Sequence, residues 1–292
     1  MSAAEQGYFT EANSAEVVAS RHSKAENPRL AEVVNALVKH LHAAIKEVEP
    51  TEEEWFKAIM FLTETGHKSD DWRQEFILLS DVMGVSMLVD AINNRKPSGA
   101  SESTVLGPFH VPDAPERAMG ENICLDGKGD LMRVSGRILD TDGHPIAGAK
   151  IDVWQTNDDG FYDVQQKGIQ PDFNFRGVFR TGADGRYWFW GAKPKSYPIP
   201  DDGPVGQLLK ALGRHPYRPA HLHYILEAEG FERLVTHIFD PDDEYIHSDA
   251  VFGVKESLMA KFDWVDDPAR IAEAGADGPF FDVVHDFVLA RA

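Results

Sequence analysis

The sequence is poor in cysteine and in positive charge, and each shortage excludes a class of protein. Among its 292 residues Cys124 is the sole cysteine, so neither an intrachain disulfide framework nor an all-cysteine metal site is available. One unpaired thiol suits a reducing compartment. Lysine and arginine number 29 against 48 acidic residues, and the net charge is −19. This acidity disfavours nucleic acid as a partner, because binding to phosphates requires clustered basic side chains.

Long hydrophobic runs are also missing. None approaches the ~20 apolar residues that a membrane-spanning helix needs. The opening MSAAEQGYFTEANSAEVV lacks the basic start and apolar run of a signal peptide. We therefore expect a cytoplasmic protein without a membrane span. A composition of 42% hydrophobic and 26% charged residues is typical of a globular protein, and the length allows a core domain with a smaller partner domain.

The N-terminal third follows a helical pattern. One apolar stripe of a first helix is formed, at three- and four-residue steps, by Leu30, Val33, Val34, Leu37, Leu41 and Ile45. Pro50 breaks this helix, and Thr51 with Glu54 predicts a capping box for the next. A third helix is predicted from Asp70 to Asn94. Its surface is apolar nearly all round, which favours burial against the next domain, another subunit or a lipid.

Beyond a turn-rich segment at 100–123 the pattern changes to short strands. The Asp142-Gly143, GADG and Glu229-Gly230 turns between consecutive strands predict three hairpins. Such strands indicate a β-sandwich. We therefore expect a mixed protein, with an N-terminal α-helical domain at 1–104 and a mainly-β sandwich domain at 105–292. The predicted strands are Met132–Leu139, Ala149–Trp154, Phe175–Thr181, Arg186–Trp190, His221–Glu227, Leu234–Phe239 and Phe280–Leu289.

Two histidines and two tyrosines are candidates for a metal site. His221 and His223 alternate on a predicted strand, so both imidazoles project from one face. Tyr197 lies in the proline-rich KPKSYPIPDDGPVG, where the backbone has little freedom. Tyr162 follows the turn Asn157–Gly160. Taken singly, the histidines also fit a plain surface pair and each tyrosine a core aromatic with a satisfied hydroxyl.

Three stretches containing these residues resemble the intradiol ring-cleaving dioxygenases: Asp152–Gln165, Phe175–Leu209 and Gly213–Tyr224. LGPFH at Leu106–His110 and SDAVFGVKESL at Ser248–Leu258 resemble the same family, and the N-terminal helices resemble its dimerising domain. The resemblance covers nearly the whole chain. It is closest to the branch that acts on hydroxyquinol (benzene-1,2,4-triol).

The resemblance implies one non-haem Fe(III) per subunit, held by Tyr162, Tyr197, His221 and His223. Phenolate oxygens are hard ligands that favour the ferric ion. The resemblance also implies that Tyr197 leaves when the diol binds and acts as an internal base. Arg218 would stabilise the charge that develops during ring cleavage. His237, where many relatives carry glutamine, would support the iron from outside its ligand set.

The same resemblance implies a substrate pocket. Asp81 is its most informative member, because a carboxylate on an otherwise apolar helix needs a partner. It could accept a hydrogen bond from the third hydroxyl of hydroxyquinol; the alternative is a carboxylate that faces solvent or an arginine. The implied lining residues are Leu78, Asp81, Val105, Gly107, Pro108, Phe109, Ile199, Pro200, Arg218 and Val251.

Three functions remain open at this point. The first is intradiol cleavage of hydroxyquinol by O2, giving 3-hydroxy-cis,cis-muconate, whose keto form is maleylacetate. The second is cleavage of catechol or a chlorocatechol. The third is a non-catalytic, transthyretin-like β-sandwich that binds ligands. The resemblance further implies a homodimer through the N-terminal helices, with a phospholipid bound between them.

Overall fold

The computed structural model describes residues 7–70 and 73–292. It divides into two compact units, one up to Glu64 and one from Thr65 onward. The expected domain boundary between residues 104 and 105 stays a prediction. Among the described residues, no helix is both long and apolar enough to cross a membrane.

The first unit consists of α1 (Ser14–Ser20), α2 (Pro28–Val48) and the greater part of α3 (Glu52–Lys68). Asn27 caps α2 by accepting from the backbone N–H of Leu30 at 3.1 Å. The predicted capping box is confirmed, since the Glu54 carboxylate accepts from the Thr51 backbone at 2.8 Å and the Thr51 hydroxyl accepts from the Glu54 backbone at 3.2 Å. The described part of α2 has no buried residue.

The predicted helix Asp70–Asn94 is wrong as a single element. The structure has two helices, α4 (Glu75–Val82) and α5 (Val85–Asn93), and Asp71 and Trp72 lie outside the described residues. The break falls at Gly84, whose φ of +71° is a left-handed conformation that interrupts the helix between α4 and α5. Two further helices, α6 (Pro204–Ala211) and α7 (Pro268–Ala274), lie among the strands.

Eleven strands are found in the described part of the second unit. They are β1 (Leu131–Asp140), β2 (Lys150–Trp154), β3 (Arg176–Arg180), β4 (Arg186–Ala192), β5 (Tyr197–Pro198), β6 (Tyr217–Arg218), β7 (His221–Glu227), β8 (Leu234–Phe239), β9 (Phe262–Val265), β10 (Phe280–Val284) and β11 (Phe287–Leu289). The predicted closing strand at 280–289 is thus two strands, both parallel to β1.

Two of the three predicted hairpins are wrong. β1 pairs with β4, β10 and β11, whereas β2 pairs with β3 and β7, so neither the β1–β2 turn nor the β3–β4 turn joins paired strands. Each turn carries the chain from one sheet to the other. Only the third hairpin, β7–β8, is confirmed. A turn motif reverses the chain, but side-chain burial on both sheets decides which strands pair.

The sandwich prediction is confirmed. One sheet has the order β11-β1-β10-β9 with β4 on β1, and the other has the order β3-β2-β7-β8. Apolar side chains of both sheets form one buried cluster, to which Val134 of β1, Val153 of β2, Leu222 of β7 and Val283 of β10 belong. Leu222 points into this core, so its neighbours His221 and His223 point away from it.

Candidate metal centre

The four candidate ligands come from three separate parts of the sandwich. Tyr162 follows β2, Tyr197 lies on β5, and His221 and His223 lie on β7. β7 is flanked in its sheet by β2 and β8, and the short β5 pairs with β6 just before β7. Consequently the loop after β2 and the β5–β6 ladder bring both tyrosines to the strand that carries both histidines.

Their donor atoms converge. The hydroxyl of Tyr162 lies 2.8 Å from Nε2 of His223 and 3.0 Å from the hydroxyl of Tyr197. Nε2 of His221 lies 3.2 Å from Nε2 of His223 and 3.5 Å from the hydroxyl of Tyr197. All four residues are buried. Two oxygens and two nitrogens therefore surround one small space.

Local structure holds Tyr162 in this position. Gly160 has a φ of +82°, and a Cβ there would lie 2.9 Å from Cβ of Tyr197, so the turn before Tyr162 needs glycine for both conformation and close packing. The Tyr162 ring stacks on Phe109, with centroids 4.6 Å apart. The next residue, Asp163, forms a buried ion pair with Arg176 at 2.6 Å. These contacts leave the phenol little freedom to rotate.

His221 presents an unprotonated Nε2. Its Nδ1 lies 2.7 Å from the carbonyl oxygen of Pro219, which can only accept, so Nδ1 carries the proton. Such a contact is the usual way of orienting a metal-binding imidazole. The His223 ring stacks on Trp154 at 4.7 Å, and its Nδ1 has no hydrogen-bond partner among the described residues.

The charges of this donor set fit a metal cation. Burial and the guanidinium of Arg218 lower the pKa of His221 to about 3, so its imidazole is neutral with a free lone pair. Burial and the neighbouring Tyr197 raise the pKa of Tyr162 well above its ordinary value. A phenol buried there ionises only when a strong positive charge is bound beside it. Two phenolates and two imidazoles suit a hard trivalent ion.

Arg218 borders the same space. Its Nη1 lies 3.2 Å from Nε2 of His221, and its other nitrogens contact the carboxylate of Asp249 at 3.2 and 3.4 Å. Burial opposes the charge of Arg218, but Asp249 raises the pKa of the guanidinium above its ordinary value. A permanent positive charge is therefore held at the edge of the centre.

His237 adds a third imidazole. It lies on β8 directly opposite His223, with ring centroids 4.1 Å apart, and is fully buried. Its Nδ1 is hydrogen-bonded to the hydroxyl of Thr104. Candidate ligand atoms of His221, His223 and His237 all lie within 4.8 Å of one another. The structure thus places His237 beside both candidate histidine ligands.

The predicted pocket residues differ in the contacts that they make. Leu78, Ile199 and Val251 belong to one apolar cluster. Gly107 approaches His223, since a Cβ there would lie 3.1 Å from Cε1 of that ring. Asp81 is half-buried and interacts electrostatically with Arg218.

The remaining predicted lining residues belong to two segments, 105–109 and 199–200. Phe109 stacks on Tyr162, as described above, and Val105 directly follows Thr104. Pro108 and Pro200 are exposed beside Phe109 and Ile199 respectively.

Comparison with known proteins decides the family. A family model described as "Catechol dioxygenase N terminus" matches residues 27–101, and one described as "Dioxygenase" matches residues 105–290. The chain belongs to the intradiol ring-cleavage dioxygenases. Members of this family depend on iron, and the resemblance inferred from the motifs is confirmed.

Individual relatives agree along nearly the whole chain. The chain is 72% identical to a hydroxyquinol 1,2-dioxygenase of Rhizobium sp. (strain MTP-10005), over 98% of each chain. It matches the crystal structure of a hydroxyquinol 1,2-dioxygenase from Pseudomonas putida DLL-E4 with a TM-score of 0.92 and 46% identity, over 97% of this chain and 99% of that one. It also matches a catechol 1,2-dioxygenase of Acinetobacter radioresistens with a TM-score of 0.83 and 29% identity, over 98% and 94% of the two chains.

Three residues at the site were not predicted from the sequence. Asp249 holds Arg218, Thr104 holds His237, and Arg176 anchors the residue after Tyr162. The sequence did offer one indication of Asp249. A buried arginine requires a carboxylate, and Asp249 lies in the SDAVFGVKESL stretch. No local pattern marks Thr104, because the hydroxyl and the histidine are far apart in sequence.

Proposed function

We propose that this dioxygenase opens the ring of hydroxyquinol between its two adjacent hydroxyl-bearing carbons, using O2 and one Fe(III) ion per subunit. The ion would be held by Tyr162, Tyr197, His221 and His223. The proposal rests on the convergence of their four donor atoms. These atoms form a closed cycle in which each lies 2.8 to 3.5 Å from the next. The relatives named hydroxyquinol 1,2-dioxygenase support the substrate.

A ferric ion held by these residues would supply Lewis acidity toward the oxygens of the diol. The residues contribute orientation and proton transfer. His221 keeps its lone pair toward the centre through the bond from Nδ1 to Pro219. The phenol oxygen of Tyr197 lies next to both Tyr162 and His221, so as a phenolate it could take a proton from a diol that enters there and become the neutral phenol. Arg218 offsets negative charge on the ring as it reacts.

Asp81 would recognise the third hydroxyl of the substrate. Burial raises the pKa of its carboxyl, and Ser86 and the charge of Arg218 oppose that rise. It is therefore a half-buried acceptor at the end of α4, electrostatically coupled to the arginine of the centre. We expect Asp81→Ala to weaken the reaction of hydroxyquinol by about tenfold or more and that of catechol much less, since a hydrogen bond to a charged group contributes about 1.5–3 kcal/mol.

Oxygen uptake with hydroxyquinol, catechol and 4-chlorocatechol tests the substrate. Hydroxyquinol should react with the highest kcat/KM, and a clear preference for catechol would overturn the assignment. Purified iron-loaded protein should show a visible tyrosinate-to-iron absorption band, which Tyr162→Phe and Tyr197→Phe should each change. A band that neither variant alters would contradict the ligand set. A colourless protein that stays inactive with added iron would favour the non-catalytic alternative.

We further propose that two copies pair through the N-terminal helices, with a phospholipid between them. The support is an apolar row on α2 that is exposed in the single chain, including Leu30, Leu37 and Leu41. Sedimentation of the protein should show a dimer, and Leu37→Lys with Leu41→Lys should shift it toward monomer. Organic extraction followed by mass spectrometry should release phospholipid from the wild type.

The free thiol of Cys124 is consistent with a cytoplasmic location of the protein.

A further inference from the structure

His237 ends in a polar atom that no described residue satisfies. Its Nδ1 is bonded to the Thr104 hydroxyl, whereas its Nε2 is buried and has no hydrogen-bond partner among the described residues. The ring lies beside both imidazoles of the candidate ligands, with centroid distances of 4.9 Å to His221 and 4.1 Å to His223. A buried nitrogen in this position is costly unless something bound at the centre satisfies it.

Thr104 is itself rigidly placed. Its backbone N–H donates to the carbonyl of Val235 at 2.9 Å, and the hydroxyl of Thr236 donates to the carbonyl of Glu102 at 2.8 Å. The segment before Val105 is thus tied to β8 at the two residues that precede His237. The position of the Thr104 hydroxyl follows from these backbone contacts, so it can orient the imidazole.

A neutral imidazole carries one N–H and one lone pair, and the bond at Nδ1 decides which of them Nε2 presents. A lone pair at Nε2 would make His237 a fifth protein ligand. The substrate diol needs two positions on the ion, and a catalytic metal site keeps positions open for its substrate. The groups that enter the centre are oxygens with lone pairs, for which an N–H is the matching partner.

We propose that Thr104 is a positioning residue whose hydroxyl donates to Nδ1 of His237, so that Nε2 carries the proton and donates to an oxygen of the bound diol. This inference rests on the proposed function of the site. His237 would donate the hydrogen bond to a substrate oxygen, and Thr104 would determine which tautomer His237 adopts. His237 is then a substrate-binding group and no iron ligand.

Variants of Thr104 test whether its hydroxyl controls the hydrogen bond between His237 and the diol. Thr104→Val removes the hydroxyl at nearly constant shape, and we expect about a tenfold weaker anaerobic affinity for hydroxyquinol, followed through the visible band. Thr104→Ser restores the hydroxyl and should return the affinity to near the wild-type value. Thr63→Val, on the exposed face of α3, is the matched control. Wild-type affinity in Thr104→Val would overturn the proposal.

A double variant separates this role from a structural one. His237→Gln supplies an amide N–H that needs no tautomer, so adding Thr104→Val to it should weaken the affinity no further. If Thr104→Val weakened the affinity for hydroxyquinol equally in the wild type and in His237→Gln, Thr104 would act only on the fold, and the proposal would be overturned. His237→Gln should also retain its iron and its resting absorption band. Loss of either would mean that His237 is a ligand.

The tautomer can be read in the wild type, whose folding is not in question. Protein labelled with 15N-histidine and loaded with diamagnetic Ga(III) should give the correlation pattern of an Nε2–H imidazole for His237, assigned by its absence in His237→Gln. The Nδ1–H pattern would overturn the proposal. Failure of the iron-loaded wild type to cleave hydroxyquinol would instead refute the proposed function, and the two failures are therefore distinguishable.

Discussion

Replacing Asp249 with asparagine removes the charge that holds Arg218. The carboxylate accepts four hydrogen bonds, from Nε and Nη2 of Arg218 at 3.2 and 3.4 Å and from the backbone of Val251 and Gly253 at 3.2 and 2.9 Å. Both side chains of the ion pair are buried. Breaking a buried pair on one side costs about 3–5 kcal/mol because the remaining charge is left without compensation. An asparagine keeps one acceptor oxygen, so we expect a loss of unfolding free energy at the lower end of this range, about 3 kcal/mol.

Activity should fall as well, because Asp249 aims the guanidinium at the centre and also holds the loop that carries Val251. Loss of a group that orients a catalytic side chain lowers activity by about 10–100-fold. Urea unfolding measures the stability loss, and oxygen uptake with hydroxyquinol measures kcat. Asp263→Asn is the matched control, since its ion pair with Lys261 is largely exposed and should contribute less than about 1 kcal/mol. An Asp249→Asn protein with wild-type stability and kcat would refute the reasoning.

Three further expectations concern single contacts. Gly160→Ala should destabilise the protein by about 1–3 kcal/mol and shift the visible band, because a Cβ at φ +82° would press on Tyr197; an unchanged spectrum would contradict this packing. Glu75→Ala should cost about 3 kcal/mol in urea unfolding, because its fully buried carboxylate pairs with Arg73 and accepts from the first turn of α6; a loss below 1 kcal/mol would refute the pairing. Hydrogen bonds from Lys68 and Arg73 lower the pKa of Asp202 from its ordinary 3.8 to about 2, so its stabilising effect is complete above pH 4 and is lost as the pH falls through 2. Since this carboxylate is mostly exposed, the stability difference between wild type and Asp202→Asn should be at most about 1 kcal/mol at pH 6. The difference should shrink as the pH falls toward 2 and vanish below that pH, which acid-dependent thermal unfolding can check.

The sequence by itself determined the features that depend on near neighbours in the chain. Alternating residues placed His221 and His223 on one face of a strand whose predicted ends match β7, because side-chain direction along a strand has a period of two. The capping box at Thr51 is likewise a contact between residues three positions apart. The four candidate ligands were proposed because the motifs around them resemble those of the intradiol ring-cleaving dioxygenases.

Only the tertiary structure decided which distant parts meet. The Asp-Gly turn after β1 looked like a hairpin, but its strands belong to opposite sheets, because pairing depends on the burial of both faces. The break at Gly84 divides a segment whose apolar pattern is continuous. Asp249 and Thr104 reach Arg218 and His237 from 31 and 133 positions away. Residue types named the chemistry of the centre, whereas packing between sheets chose the side chains that orient it, since those contacts exist only once the chain has folded.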